Sequence, residues 1–416
     1  MKNIRLHIIK IGICMSKVFL NIIYFFLKCF PCRNKISLLS RQSNRPSIDF
    51  ELIETEILNR NDKVKVKILC KKLEDSLIER IKYCFYILKC MYHIATSKVC
   101  ILDGYSIPIS ILKHKKKLEI IQIWHASGAI KKFGLQSLNK KAGRNQDIAK
   151  IMNMHRNYSH VMAPSIETAE FYKEAFGIEE SGIFINGLPR LDYLLDEDLK
   201  ENVIEKFHNE YPQNKNKKTI LYVPTFRKNV DNTEFIQKLI KSINLSKYNL
   251  IIKLHPLDNS NIEEEYTVNK KYSTYDLLKI SDYIITDYSA VAFEASILNK
   301  PLYFYVYDID KYDETSGLNI NLFEEINNST STNAKEIIKA IENDEYDSEE
   351  LEKFRTKYMG TNYFNNTSKL VDFIFKYLNG DEKNEEDKKE NQEKNKENEK
   401  KIKENINEKS KTKLNI

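Results

Sequence analysis

Thr219-Ile-Leu-Tyr-Val-Pro-Thr-Phe-Arg227 decides the fold. Thr219–Val223 is a short β-prone run without alternation, the pattern of a strand covered on both faces. Pro224 has no N–H to offer a ladder, so the strand ends there and Arg227 falls on the following loop. The same unit recurs downstream. A helix over Glu234–Ile243 precedes a strand Asn249–Leu254 that stops at His255-Pro256. A helix Thr274–Ile280, a strand Tyr283–Thr286, a helix Ala290–Leu298 and a strand Leu302–Val306 follow. Helices over Ala334–Asn343, Glu349–Tyr358 and Thr367–Leu378 complete this half. Strands alternating with helices predict a parallel sheet with right-handed crossovers.

The preceding residues follow the same plan. Strands are expected at Ile36–Leu39, Val64–Cys70, Val99–Leu102, Ile120–Trp124, His160–Ala163 and Ile183–Asn186. Helices are expected at Asp49–Asn59, Asp75–Ala95 and Glu167–Phe176, the second with an apolar stripe of Leu77, Ile78, Ile81, Phe85 and Leu88. The charged stretch Lys200–Asn216 reads as an interdomain helix and linker. The expectation is an α/β protein of two Rossmann-like domains, 35–199 and 200–378, facing a cleft. Ligands bind such sheets beyond the carboxyl ends of the strands.

Charge and cysteine usage bound the ends. The net charge is +7, and no Asp or Glu precedes Asp49, whereas Lys2, Arg5, Lys10, Lys17 and Lys28 do. Val18–Leu27 is the longest nearly apolar stretch, shorter than the roughly 20 residues a spanning helix needs. Segment 1–34 therefore reads as a basic amphipathic helix on an anionic membrane surface, or packed on the protein's own surface. No interleaving of basic and aromatic residues recurs, which disfavours nucleic acid. All seven cysteines lie in the first hundred residues and their number is odd, which argues against a disulfide framework. Cys29-Phe-Pro-Cys32 lacks a second ligand pair and reads as incidental. Residues 379–416 are Lys/Glu/Asn-rich with little to bury, and disorder is expected.

The polar signatures sit at strand ends. Trp124-His125-Ala-Ser127-Gly128 offers an imidazole suited to taking a proton from a hydroxyl. Arg227 carries the fork that suits a phosphate, and His255 follows the next strand beside Lys253. Thr286-Asp287-Tyr-Ser289 ends a strand where a helix begins, with Ser289 the expected N-cap.

As an ordered set these motifs resemble the CDP-glycerol glycerophosphotransferases, the teichoic acid polymerase and primase family. Trp124–Gly134, Gly187-Leu-Pro-Arg190-Leu-Asp192, Tyr222–Arg227, Lys253-Leu-His-Pro256, Thr286–Ser289, Lys300-Pro301 and Tyr307–Tyr312 carry the likeness, as does the loop Ser40–Ser47. It implies a GT-B-like fold, a CDP-alditol donor on the C-terminal domain, and attack by an acceptor hydroxyl with CMP leaving. By position it makes His125 the general base and His255 the group on the leaving phosphate. Arg227, Thr286, Asp287, Ser289 and Ser127 become substrate-binding candidates, and Asp192 orients the acceptor or holds the interdomain turn. The acceptor would be a lipid-linked polyol phosphate or saccharide, reached from the cytoplasmic face of the membrane. No metal and no cofactor are expected. Ala126-Ser127-Gly128 departs from the family's commoner Gly-Thr-Pro, and Ala290 from its second Ser. A nucleotide-sugar glycosyltransferase and a non-catalytic membrane-associated scaffold are the alternative readings.

Overall fold

Short apolar strands pair only if both faces are covered, and the helices between them do the covering. The computed structural model describes residues 2–379 except Asp75, Lys228 and Asn229; the charged tail called disordered lies outside the described residues. After α1 (Lys2–Leu27) come β1 (Lys35–Ser40), α2 (Ile48–Arg60), β2 (Lys65–Cys70), α3 (Leu77–Ala95) and β3 (Val99–Leu102). Then come α4 (Ile107–Ile111), β4 (Glu119–Gln122), α5 (Gln146–Ile151), β5 (His160–Ala163), α6 (Ile166–Phe176) and β6 (Ile183–Ile185). These strands form one parallel sheet in the order β2-β1-β3-β4-β5-β6.

Helices α7 (Arg190–Leu195) and α8 (Glu197–Glu210) lead to a second sheet. It is built from β7 (Lys218–Val223), α9 (Thr233–Ser242), β8 (Tyr248–Ile252), α10 (Thr274–Ile280), β9 (Tyr283–Thr286), α11 (Val291–Ile297) and β10 (Leu302–Tyr305). Helices α12 (Ile309–Ser316) and α13 (Leu322–Glu325), β11 (Thr330–Ser331) and α14 (Ala334–Glu342) finish it, in the parallel order β11-β10-β9-β7-β8. The strand order reverses between β1 and β3 in the first sheet and between β7 and β9 in the second. Crevices open at such points. The structure is thus α/β with two parallel sheets.

Local chemistry sets the helix ends. Ser47, Ser76, Ser165 and Asp196 cap α2, α3, α6 and α8 by accepting backbone N–H bonds, and Gly177 ends α6 at φ 62°. Helix α15 (Ser348–Met359) returns to the first sheet's side: Ser165 Oγ and Thr168 Oγ1 donate to the Tyr358 carbonyl at 2.9 and 2.7 Å. The last helix among the described residues, α16 (Asn366–Asn379), begins on Asp192, whose carboxylate accepts from the Asn366 and Thr367 amides at 2.9 and 2.7 Å. Chain up to Asp372 clusters as one unit, and 373–379 are the described part of a second, Phe373–Ile416.

Helix α1 is two-sided. Tyr24 is buried, with its hydroxyl 2.9 Å from His114 Nδ1, and Asn21 donates to the Ile111 carbonyl at 3.0 Å. Lys10 pairs with Asp147 at 2.7 Å. On the other side Met15, Val18, Phe19, Ile22, Phe25 and Phe26 are mostly exposed. The stretch Leu6–Leu27 is long and apolar enough to cross a membrane by length and composition. Its polar bonds to the body nonetheless run along the helix from Lys10 to Tyr24, which lays it on the protein surface. Helix α3 adds to the open apolar face. Its stripe Leu77, Ile78, Ile81 and Phe85 is exposed, while Tyr83, Cys90, Met91 and Ile94 face inward.

Candidate active site

Carboxyl ends of both sheets open onto one cleft of about 1050 Å³. The first sheet contributes the loop after β4. Its strand ends two residues before the expected Trp124, because the Trp124 amide donates to the Gln122 side-chain oxygen at 2.9 Å instead of to a neighbouring strand. Trp124 then takes φ 62°, a costly conformation for a bulky residue. Its ring stacks on Phe133 at 4.9 Å and meets Phe176 edge-on at 5.1 Å, which holds the turn. The turn delivers His125 into the cleft. Gly128 is needed three residues later because a Cβ there would lie 2.5 Å from the Phe293 ring on α11. The small residues after His125 thus admit a neighbouring helix.

His125 Nδ1 lies 2.9 Å from the Asp103 carbonyl oxygen and 3.0 Å from Gln42 Nε2; the fixed main-chain carbonyl sets the tautomer, and the Gln42 amide matches it when turned to present its oxygen to the ring. A carbonyl only accepts, so Nδ1 carries the proton and Nε2 presents a lone pair. The surrounding protein pushes the imidazole pKa down to about 4, the nearby Arg190 and Lys131 charges adding to desolvation. The side chain is also exposed to the cleft's solvent, which offsets part of that desolvation; the direction, a neutral ring at pH 7, stands.

His255 follows β8 and has the opposite tautomer. The Leu257 amide donates to its Nδ1 at 3.1 Å, so Nδ1 accepts and the proton sits on Nε2. Desolvation and the Lys72 and Lys131 charges lower its pKa. The free site therefore holds a neutral Nε2–H donor at this position. The ring stacks on Phe226 at 5.1 Å.

The other expected site residues divide by position. Ser289 lines the cleft, with its Oγ 3.4 Å from the Val291 amide, while Ala290 occupies the N-cap position of α11, one residue later than predicted. Arg227 lies behind the wall. Its fork is bidentate on Asp308 at 2.7 and 2.9 Å, and Nη1 is 2.9 Å from Asp287. Tyr307 and Tyr312 cover it at 4.8 and 5.2 Å. Its donors face carboxylates, not the cleft. Asp287, fully buried, also accepts from the Thr225 amide at 2.9 Å, and Thr286 donates to the Val223 carbonyl at 2.7 Å. Together they brace the loop that carries Phe226. Asp308-Ile-Asp310 has the Asp-x-Asp spacing of metal-dependent transferases, but the Asp308 carboxylate is taken by Arg227. Ser127 is buried, and its hydroxyl is spent on Glu294 at 2.8 Å. Asp192 sits outside the cleft lining, its carboxylate accepting from the first amides of α16.

Several cleft residues were given no role in the sequence reading, Lys253 and Arg190 being named there only within their motifs. Lys131, Lys253 and Lys270 line it and supply positive charge; Lys131 stood in the quoted His125 run and could have been picked out there. Arg190 is buried under His125, donating from Nη1 to the His125 carbonyl at 3.1 Å and gripping Asp49 through Nε at 2.9 Å and through Nη2. Glu294 Oε1 is 3.6 Å from the same Nη1, while Oε2 has no hydrogen-bond partner. Helix α11 had read as an ordinary helix, and nothing in its spacing marks Glu294. The two halves also join at the rim, where Lys132 N donates to Gly317 O at 2.9 Å and Asn319 N to Ile130 O at 2.7 Å.

Comparison with known proteins shows the family and the fold. The chain is 32% identical over 357 residues to the teichoic acid ribitol-phosphate primase of Bacillus spizizenii, covering 83% of this chain and 92% of the relative. It is 30% identical over 381 residues to the teichoic acid glycerol-phosphate primase of Bacillus subtilis, covering 86% and 95%. The solved wall teichoic acid polymerase TagF superposes with a TM-score of 0.69 at 18% identity, over 89% of this chain and 97% of that one, a likeness of fold. Residues 22–376 match the family described as CDP-glycerol:poly(glycerophosphate) glycerophosphotransferase. A match over most of the chain, with relatives aligned nearly end to end, makes this protein a transferase belonging to the CDP-glycerol:poly(glycerophosphate) glycerophosphotransferase family.

Proposed function

We propose that the protein transfers an alditol phosphate from a CDP-alditol to a hydroxyl of a membrane-held acceptor in teichoic-acid-type polymer synthesis, releasing CMP. The geometry that carries this is the pair of cleft histidines whose Nδ1 partners differ in kind: the Asp103 carbonyl assigns a lone pair to His125 Nε2, and the Leu257 amide assigns an N–H to His255 Nε2. The acceptor oxygen attacks the phosphorus bearing the alditol, and its proton passes to His125 Nε2. The bond from that phosphorus to the bridging oxygen breaks, and CMP leaves with the electron pair while His255 donates a hydrogen bond to it. Lys131, Lys253 and Lys270 supply the charge neutralisation that phosphoryl transfer requires. Arg227, Asp287 and Thr286 act at one remove, by fixing the Phe226 loop on which His255 stacks. The donor is assigned to the second sheet and the acceptor to the first, in a GT-B-like arrangement.

Purified protein incubated with membrane extract is expected to form CMP from CDP-glycerol or CDP-ribitol and not to turn over UDP-sugars. No CMP from either would refute the reading.

The open apolar side of α1, joined by the α3 stripe and flanked by lysines, suits the inner leaflet of an anionic membrane. Phe19→Glu with Phe26→Glu leaves the docked Tyr24 flank intact. This double variant is expected to reduce pelleting with anionic liposomes at least about fivefold, since each buried aromatic contributes on the order of 2 kcal/mol. Equal pelleting of variant and parent would remove the membrane assignment.

A further inference from the structure

The cleft is built for an anion except at one point. Glu294 is 2% exposed, lines the cavity from α11, and keeps Oε2 without a hydrogen-bond partner. Its other oxygen is occupied by the Ser127 hydroxyl at 2.8 Å, with Arg190 Nη1 at 3.6 Å. A buried carboxylate oxygen is costly to leave unmatched, so an orphan of this kind in a ligand cavity calls for a donor from the ligand. That donor is not a phosphate oxygen, which carries the same sign of charge. The diphosphate is drawn instead to Lys131, Lys253 and Lys270.

Position narrows the choice. Glu294 is one helical turn beyond Ala290, which lines the cleft beside Ser289, so both face the same space. Arg190 Nη1 lies 3.1 Å from the His125 carbonyl and 3.6 Å from Glu294 Oε1, which puts the carboxylate on the His125 side of the cavity. That side receives the group being transferred, not the departing nucleotide. Resting on the function proposed above, we infer that Glu294 Oε2 accepts a hydrogen bond from a hydroxyl of the alditol and selects donors carrying a polyol next to the reacting phosphorus.

The test is calorimetric, with CDP, CDP-glycerol and CDP-ribitol as probes against the full chain and its Glu294→Ala, Glu294→Gln and Ser127→Ala variants. The parent is expected to bind a CDP-alditol more tightly than CDP. Glu294→Ala is expected to lose roughly tenfold of that preference, the size of one buried hydrogen bond, with CDP affinity changed less than about twofold. Glu294→Gln retains the shape and one acceptor oxygen and is expected to keep part of the preference, which guards against a folding defect in the alanine variant. Ser127→Ala removes the Oε1 contact alone and is expected to keep the preference. Three results would overturn the inference: CDP and CDP-alditol weakening together, which places Glu294 under the nucleotide; an intact preference in Glu294→Ala; or an equal loss in Ser127→Ala, the mark of a purely structural role. A parent that binds CDP-alditols but shows one of these defeats this inference alone, whereas a parent that binds no CDP-alditol defeats the proposed function with it.

Discussion

His125→Ala is expected to lower kcat by about a thousandfold while CDP affinity, followed by thermal shift, changes little. General-base removal typically costs on the order of 10²–10⁴ in rate, and the ring lies at the cleft lining, exposed, with its Nδ1 held by the Asp103 carbonyl and Gln42 rather than by the packed core. The same geometry predicts the pH profile. The active form is neutral imidazole, and its pKa is depressed from 6.5 toward about 4 in the free protein. Activity is then full at neutral pH and lost as pH falls, with the acid limb of kcat/KM lying below 6.5 and above 4. A limb at or above 6.5, or an alanine variant with parental kcat, would remove His125 from the role.

Arg190→Met is expected to destabilise the fold by roughly 3–5 kcal/mol, because it strands Asp49 as a buried charge without its partner. Asp49 is fully buried, accepts from the Arg190 backbone amide at 2.9 Å, and ties α2 to α7. For a chain of this size the loss corresponds to a fall in Tm of about 10 °C. The double variant Asp49→Asn, Arg190→Met removes both charges and should recover a substantial part. Both variants lose the donor to the His125 carbonyl, so reduced turnover in the more stable double variant would separate the positioning of His125 from stability. A single variant melting with the parent would show that the pair contributes nothing net.

The frame was legible because its signals are local. Thr219–Val223, Tyr283–Thr286 and Val99–Leu102 are unbroken β-prone runs, and such runs form buried parallel strands wherever helices cover them. The strand-end positions of His125 and His255 followed from the same reading. What failed was orientation. The α3 stripe had helical spacing, but periodicity says only that a face is apolar, not that anything covers it. Arg227 fits a phosphate as a residue type, yet Asp308 from beyond β10 reaches it first. Ser127 turns away from the cleft because Glu294 waits beneath it.

By itself the sequence determined two parallel sheets, the loops at their carboxyl ends, and the two imidazoles placed there, since each follows from hydrophobic runs and chain breakers a few residues apart. Only the tertiary structure decided which polar groups meet the cleft and which brace it. A loop side chain takes the partner that other loops bring within hydrogen-bond reach, and those partners, Asp49 for Arg190, Asp308 for Arg227 and Ser127 for Glu294, are distant in the chain.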